Sequence, residues 1–483
     1  MPSPFENTPF SDILGCLFIG GGPLRIESPA EPEEGEGKNW STSRKSFVLF
    51  QICLLTLATE SVYVGSAIIT PAEPVFVEIY DISVQVSTLA LSVYVLGYGF
   101  GPLLFSPLSE MPRLGRNIPY MTSFFLFLVV TAIASRVSNY PGLVVLRFIQ
   151  GFLGGPALAT GGASLSDVLP FNKVPYGATC WMGATYIAPS LGPILTGFSV
   201  PATTWRWSMY ELLILSGGIF ILLFFCLPET NAETLLLRRA QRLRRNTGRQ
   251  YRSRTEIKED KVSLLALAGR YLTTPFRITV QDPSVAFINL YTALAYSVYY
   301  TYFEAFPLVY MGTYGLSTGL MGVIFLSIIV ASLIGGGIYV VLVWRIYEPY
   351  TLKSGIGKPE YRLIPGIFAA AVAPTGLFLF GWTSRESIHW IVPTIGIVLS
   401  VIIIYLPTSY PRYAASLFAA NGFIRSALAC GAIHFSQPLF GNLGIGRGCS
   451  VLGGLAAMCF FGIVALWHYG AQLRARSRFA ETY

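Results

Sequence analysis

"PETNAETLLLRRAQRLRR", residues 228–245, opens the most basic part of the chain and lies between two long apolar regions. Its reading decides the fold. A block this rich in arginine is either a nucleic-acid footprint or a loop beside a membrane. Composition separates the two. Of 483 residues, 53% are hydrophobic and only 12% charged, and mean hydropathy is +0.56. A soluble globular chain carries about 25% charged residues. This chain lacks the polar surface to face water all round, so lipid is its outer solvent. The block is then a loop between spans, and the net charge of +8 is no sign of nucleic acid.

Working outward, apolar runs long enough to cross about 30 Å of hydrocarbon fall near 47–70, 82–105, 117–136, 141–166, 174–200 and 206–227, before the block. After it they fall near 285–312, 318–344, 363–383, 388–407, 413–440 and 448–469. The linker, 228–284, divides them six and six. The reading is an all-α membrane protein of twelve transmembrane helices in two six-helix halves, 44–227 and 285–469. Two such halves suggest a transporter whose site lies between them at midplane. Residues 1–43, with "ESPAEPEEGEG", read as a disordered acidic tail, and 470–483 as a basic one.

Lysine and arginine orient the spans. Arg44 and Lys45, Arg113 and Arg116, the linker from Arg238 to Arg277, Lys353 to Arg362, and Arg474 to Arg478 all fall on one face. That face is cytosolic, and both termini lie there. The start, "MPSPFENTPF", does not read as a cleavable signal. Seven cysteines and three histidines show no metal-ligand spacing, so no metal is expected. There is no G-x-x-x-x-G-K-[ST] to cradle ATP and no nucleophile elbow, so the chain reads as neither an ATPase nor an enzyme.

Three stretches carry gating chemistry. In "GPLLFSPLSEMPRLGRNIPY" (101–120), Gly101 and Pro102 end a helix. Glu110 beside Arg113, Gly115 and Arg116 offers a charge clasp at the membrane face. In "RFIQGFLGGPALATGGASLSDV" (147–168), Arg147, Gly151, Gly154 and Gly155 share one helical face, and Asp167 closes the segment. Small residues admit a second helix closely. In "ATYIAPSLGPILTGF" (184–198), Pro189 and Pro193 stand four apart with Gly192 and Gly197 beside them, a span that can bend and slide.

Together these stretches resemble the major facilitator superfamily, and within it the twelve-span drug:proton antiporters of fungi. The first is similar to that superfamily's loop between spans two and three, although Glu110 stands five residues before Gly115 where the usual form has three. The third resembles the antiporter motif of span five, tied to exporters. "PETNAETLLLRRAQRLRR", "KPEYRLIPG" (358–366) and "YPRYAASLFAANGFIRS" (410–426) look like the fungal group too. One departure stands out: span ten, within "IHWIVPTIGIVLSVIIIYLPTSYPRY", is short, near the lower limit of about 17 residues for crossing.

Intramembrane charge points to function. The charged positions are Glu60, Arg147, Glu211, Glu304 and Arg425. Glu211 beside Arg206 reads as an interfacial ion pair. Glu304, within "YYTYFEAFPLVY" (299–310), stands alone among rings. Tyr300 and Leu308 share its face, and Ser297, Tyr300 and Thr301 form a polar stripe. A carboxyl in such surroundings rests protonated and lets its proton go when water arrives. Arg147 could pair with a carboxylate such as Glu60, and Asn421 stands a turn before Arg425. Tyr63, Tyr299, Tyr300, Tyr302, Phe303 and Phe306 would suit flat, apolar or cationic ligands.

The expectation is proton-coupled export of amphipathic small molecules, drugs or a fungal secondary metabolite or toxin. The proton gradient supplies the energy and no cofactor is needed. The partners are substrate, protons and membrane lipids, with no nucleic acid, and the protein is read as a monomer. The plasma membrane is the expected location, a vacuolar or vesicle membrane the alternative. A non-transporting sensor or decayed transporter and a proton-driven nutrient importer are the rival readings.

Overall fold

The computed structural model describes residues 61–156, 174–227, 231–248, 283–350, 363–401 and 415–475, with Thr56, Glu229, Ser253 and Glu256 beside them. The acidic tail, Glu60, Asp167 and most of the linker beyond residue 248 lie outside these residues. Among the described residues there are helices and turns and no strands.

The first half holds α1 (Ser61–Tyr80), α2 (Leu89–Glu110), α3 (Asn117–Ala134), α4 (Tyr140–Gly154), α5 (Val174–Ala202) and α6 (Arg206–Cys226). The apolar run places the end of span one near residue 70, but α1 runs ten residues further. Thr70–Ala72 form a 3-10 turn, and Glu73–Tyr80 resume the helix with Pro74 in the first turn. Proline is tolerated there because its missing N–H needs no partner. Span one is broken rather than ended.

The linker contains a helix, α7 (Ala232–Thr247). Asn231 caps it by accepting from the N–H groups of Glu233 and Thr234, and Gly248 ends it with φ 67°, a conformation that favours glycine. The second half holds α8 (Pro283–Phe303), α9 (Thr318–Tyr350), α10 (Ile364–Thr383), α11 (Ile391–Val401) and α12 (Ala415–Ala475). α8 passes into a π-helical segment, Pro307–Thr313. α12 is two spans joined at Gly444, whose φ of 75° and ψ of 168° are not helical. Sixty-one unbroken residues would reach roughly 90 Å, three times the hydrocarbon thickness. Of the short span ten, α11 is the described part; the rest lies outside the described residues.

The halves are packed differently. In the first, α2 and α4 meet backbone to backbone. A methyl group on Gly101 would strike the carbonyl of Phe152, and one on Gly151 would strike the backbone of Tyr94 and Tyr98. Gly155 faces Pro102 and Gly101, whereas Gly154 faces Val62 of α1. The glycines of span four therefore serve two neighbours rather than one face. The second half is filled by rings. Tyr302, Phe306, Phe325 and Phe380 lie with centroids from 4.8 to 5.7 Å apart. Tyr302 and Phe306, expected in a cavity wall, are core of this half.

Among the described residues, two helix pairs make the most extensive contact between the halves. α2 lies along α12 and α5 along α9. Gly197 of α5 packs on Thr318 and Gly319, and Gly322 of α9 sits against the carbonyl of Pro193. Pro189 and Pro193 are buried within α5. The proline- and glycine-rich face of span five is thus part of the seam. Gly192 packs on the backbone of Ala67 and Ile68, and the Thr196 hydroxyl donates to the Ile68 carbonyl at 2.9 Å. That carbonyl sits just before the break in α1.

Candidate functional site

Arg147 anchors the first half. It is fully buried. Its Nε donates to Ala90 O at 3.0 Å, Nη2 to Gly65 O at 2.7 Å and Ser66 O at 3.2 Å, and Nη1 to Gln150 Oε1 at 3.3 Å. Its guanidinium lies 4.2 Å from the centre of the Tyr94 ring, and Tyr94 donates to Val62 O at 2.6 Å. Gln150 in turn donates to Thr131 at 2.9 Å. Pairing with a carboxylate such as Glu60 was one expectation; the described acceptors are three backbone carbonyls and Gln150. Glu60 lies outside the described residues. The planar fork of arginine suits several fixed acceptors at once, and it ties α4 to α1 and α2 beside the break in α1.

At the centre, tyrosines from both halves meet. Tyr98 Oη of α2 lies 2.7 Å from Tyr296 Oη and 3.1 Å from Tyr300 Oη, both on α8. Tyr63 of α1 packs edge-on against Tyr98 with ring centres 5.4 Å apart. Arg425 of α12 donates to Tyr63 Oη at 3.0 Å and covers the Tyr296 ring at 4.4 Å. These rings and one guanidinium form an amphipathic cage: apolar faces, hydroxyl edges and a cation. Asn421 does not join it. Its Nδ2 donates to Asn289 and Thr292 at 2.9 and 2.6 Å, binding α12 to α8 within the second half.

Glu304 lies one turn beyond this cage, between α8 and the π-helical segment, and is 8% exposed. The wider π turn changes which residues share its face. Leu308 is exposed rather than beside Glu304. Ser297 and Thr301 use their hydroxyls on the carbonyls of Ala293, Ser297 and Ala432, so the expected polar stripe serves the backbone. Glu73, the first residue of α1 after its break, is a second buried carboxyl, in the first half. Glu73 is 9% exposed and its Oε1 has no hydrogen-bond partner.

The loop after α2 also holds an acid that the sequence reading did not place there. Glu110 ends α2, and Arg113 is exposed. That further acid is Glu229, from the "PETN" run. Its carboxylate accepts the backbone N–H of Arg116 at 3.2 Å, of Asn117 at 3.3 Å and of Asn231 at 3.0 Å. It therefore sits at the N-terminus of α3, where the helix favours negative charge. Gly115 has φ 71°, and a side chain there would meet Glu229 and Thr234. Asn117 Nδ2 donates to Leu227 O at 3.1 Å, which fixes the linker's start to the loop. Glu211 is not ion-paired: its Oε2 is buried without a hydrogen-bond partner. Arg206 instead donates to Val137 O at 3.2 Å and lies 4.9 Å from the Trp205 ring.

Sequence reasoning missed Tyr98, Tyr296, Glu73 and Glu229. Tyr98, Tyr296 and Glu229 make contacts with residues far away in the chain, such as Tyr98 with Tyr296 over 198 positions. Glu73 carried one signal, a carboxylate between two prolines in an apolar run. No group of three or more metal-ligating side chains occurs among the described residues.

The Major Facilitator Superfamily profile matches residues 55–436. The MFS-type transporter pyvG of Aspergillus violaceofuscus is 40% identical over 99% of this chain and 88% of its own length. Fluconazole resistance protein 1 of Saccharomyces cerevisiae is 37% identical over the same shares. The cycloheximide resistance protein of Candida maltosa is 37% identical over 98% of this chain and 87% of its own. Among solved structures, the proton:xylose symporter XylE superposes with a TM-score of 0.59 at 15% identity, covering 88% of this chain and 96% of that one. The human organic anion transporter MFSD10 gives 0.61 at 13%, covering 87% and 99%. At those identities the structures speak to the fold, and the fold is the same pair of six-helix halves. With its profile match and its relatives covering nearly the whole sequence, this membrane protein belongs to the major facilitator superfamily.

Proposed function

We propose that the protein exports amphipathic small molecules, drugs or a fungal secondary metabolite or toxin, in exchange for protons by alternating access. One observation carries the reading. A buried carboxyl, Glu304, lies one turn from a cage of tyrosines and Arg425 that both halves build. Protonation and occupancy of the cage thereby act on the same seam. The ring faces suit flat apolar bodies and the hydroxyl edges suit scattered polar groups. The names of the relatives, resistance to fluconazole and to cycloheximide, support export.

In this cycle substrate enters the cage from the cytosol. A proton from outside neutralises Glu304 as substrate leaves outward, and the proton then departs to the cytosol. Glu60 is the second acid proposed for that role, and Arg147 holds the backbone around the pathway. The pH gradient is the energy source, with no cofactor and no chemical conversion of substrate. The protein acts as a monomer in the plasma membrane with both termini cytosolic, an orientation supported by the clustering of lysine and arginine on one face.

The test is efflux of a fluorescent amphipathic dye from proteoliposomes with an imposed pH gradient. Efflux is expected to follow the gradient, and Glu304→Gln to leave dye binding intact while uncoupling it. Gradient-independent efflux, or full coupling in Glu304→Gln, overturns the proposal.

A further inference from the structure

We propose that Thr247 is a phosphorylation site for an arginine-directed protein kinase, and that its phosphate takes Arg244 from Glu256. The proposal is independent of the exporter reading. In the cell it needs the linker on the cytosolic face, the orientation already proposed.

The site is the end of α7. The first turns of this helix are held against the protein. Asn231 caps it, Thr234 packs on Gly115, and Leu237 and Ala240 are buried. The last turn is not held. Arg245, Asn246, Thr247 and Gly248 are all exposed. Helix ends fray at almost no cost, and Gly248, with φ 67°, already turns the chain away. An enzyme that needs a short extended segment can take hold here without opening the core.

"RRNT", 244–247, supplies the recognition chemistry. Kinases of this class carry carboxylates that receive guanidinium groups two and three residues before the acceptor hydroxyl, a planar pairing that arginine makes best. Among the described residues, Thr247 is the one hydroxyl with arginine at both positions. Ser253, a little further on, is buried and has Gln250 and Tyr251 at those places. In the reaction the Thr247 oxygen attacks the terminal phosphorus of a nucleoside triphosphate. The bond from that phosphorus to its bridging oxygen breaks, and nucleoside diphosphate leaves. The hydroxyl proton passes to the kinase's base. The bond that the hydroxyl makes to Leu243 O, at 2.7 Å, is given up.

What the phosphate does follows from its neighbours. It brings about −1.5 to −2 charges at neutral pH to the C-terminus of a helix, the end that disfavours negative charge. Arg244 stands three residues earlier on the same face, one turn away. It holds Glu256 at 2.6 Å. The Glu256 carboxylate also accepts the Ser253 N–H at 3.2 Å, and the Glu256 N–H donates to Ser253 Oγ at 3.1 Å. One ion pair thus ties the end of α7 to a turn further along the linker. A phosphate dianion competes for that arginine better than a carboxylate. Moving Arg244 to phosphothreonine unties the turn.

The experiment uses the purified full chain in detergent, the catalytic subunit of cyclic-AMP-dependent protein kinase and magnesium ATP, with sites located by peptide mass spectrometry. Phosphate is expected on Thr247 and is lost in Thr247→Ala. Arg245→Gln leaves the Arg244–Glu256 pair alone and should slow incorporation at Thr247 about tenfold. Hydrogen exchange of the segment holding Ser253 and Glu256 should speed up on phosphorylation. Glu256→Gln should show the same fast exchange without phosphate, and phosphate should add nothing to it. No phosphate on Thr247, or phosphate at other hydroxyls alone, overturns the site. Phosphorylation of Thr247 that leaves exchange unchanged overturns the transfer of Arg244. Neither result bears on export, which gradient-driven dye efflux tests separately.

Discussion

The first half of the molecule is locked by backbone contact and one arginine; the second is filled with aromatic rings. Gly101, Gly151 and Gly155 let α2 and α4 touch along their main chains, and Arg147 ties α4 to carbonyls of both α1 and α2. Phe380, Phe325, Tyr302 and Phe306 instead interlock side chain to side chain. Main-chain contacts and fixed hydrogen bonds permit one arrangement. Ring clusters can repack with small losses. The comparison assigns a rigid frame to the first half and an adaptable wall to the second, with the central cage where they meet.

The largest effect that tests this contrast is expected from Arg147→Ala. It strips donors from three buried carbonyls and an amide. Each orphaned group costs about 1–3 kcal/mol, so the variant should melt far below the wild type in the same detergent or fail to accumulate. Arg147→Lys keeps the charge but not the fork, and should recover only part of the loss. A wild-type melting temperature for Arg147→Ala would show that the first half is not pinned this way.

Next come paired substitutions, one in each half. Gly151→Leu forces a side chain into the backbone of α2 and should cost about 1–3 kcal/mol by overpacking, because two main chains cannot both yield. Phe380→Leu removes a ring from a cluster whose neighbours can close in, and should cost less. If thermal unfolding ranks the two the other way, the rigid-frame reading is broken.

Glu229→Gln probes a third kind of lock, at the loop between α2 and α3. The shape survives but the charge at the N-terminus of α3 is lost. About 0.3–1 kcal/mol should disappear, and salt should narrow the difference from wild type by screening the native charge. The measurement is the melting shift at low and high ionic strength. A shift that salt leaves unchanged would mean that shape rather than charge closes the loop.

Much of the frame was legible. Hydropathy located the spans, and the basic linker divided them, because a bilayer requires long apolar runs and loops keep their lysine and arginine on one side. Arg147 was legible as buried because nothing apolar tolerates a charge on that face. Its partners were not, since backbone carbonyls carry no signature in side-chain sequence. Glu304 was legible as an anomaly. Its neighbours were misplaced because a regular 3.6-residue count puts Leu308 on its face, and the π-helical segment does not keep that count. The cage itself was half hidden. Tyr63, Tyr300 and Arg425 stood out, but nothing in the sequence singled out Tyr98 and Tyr296, whose hydroxyls meet across the two halves.

Tyr98 offers the finest test. Its hydroxyl is within hydrogen-bond distance of both Tyr296 and Tyr300, so it is one place where the rigid half touches the adaptable one through polar atoms alone. Tyr98→Phe keeps the ring, its edge contact with Tyr63 and the shape of the seam. Hydrogen bonds between helices in membranes average about 0.6 kcal/mol, so melting should barely move. Transport should be more sensitive. A substrate that bonds to the hydroxyls should show a severalfold higher KM with kcat nearly kept, and an apolar substrate should be unaffected. That split separates a wall that touches substrate from one that only packs: if KM stays constant for both, the tyrosines are a structural plug, and the binding surface must be sought along α5 and α9 instead.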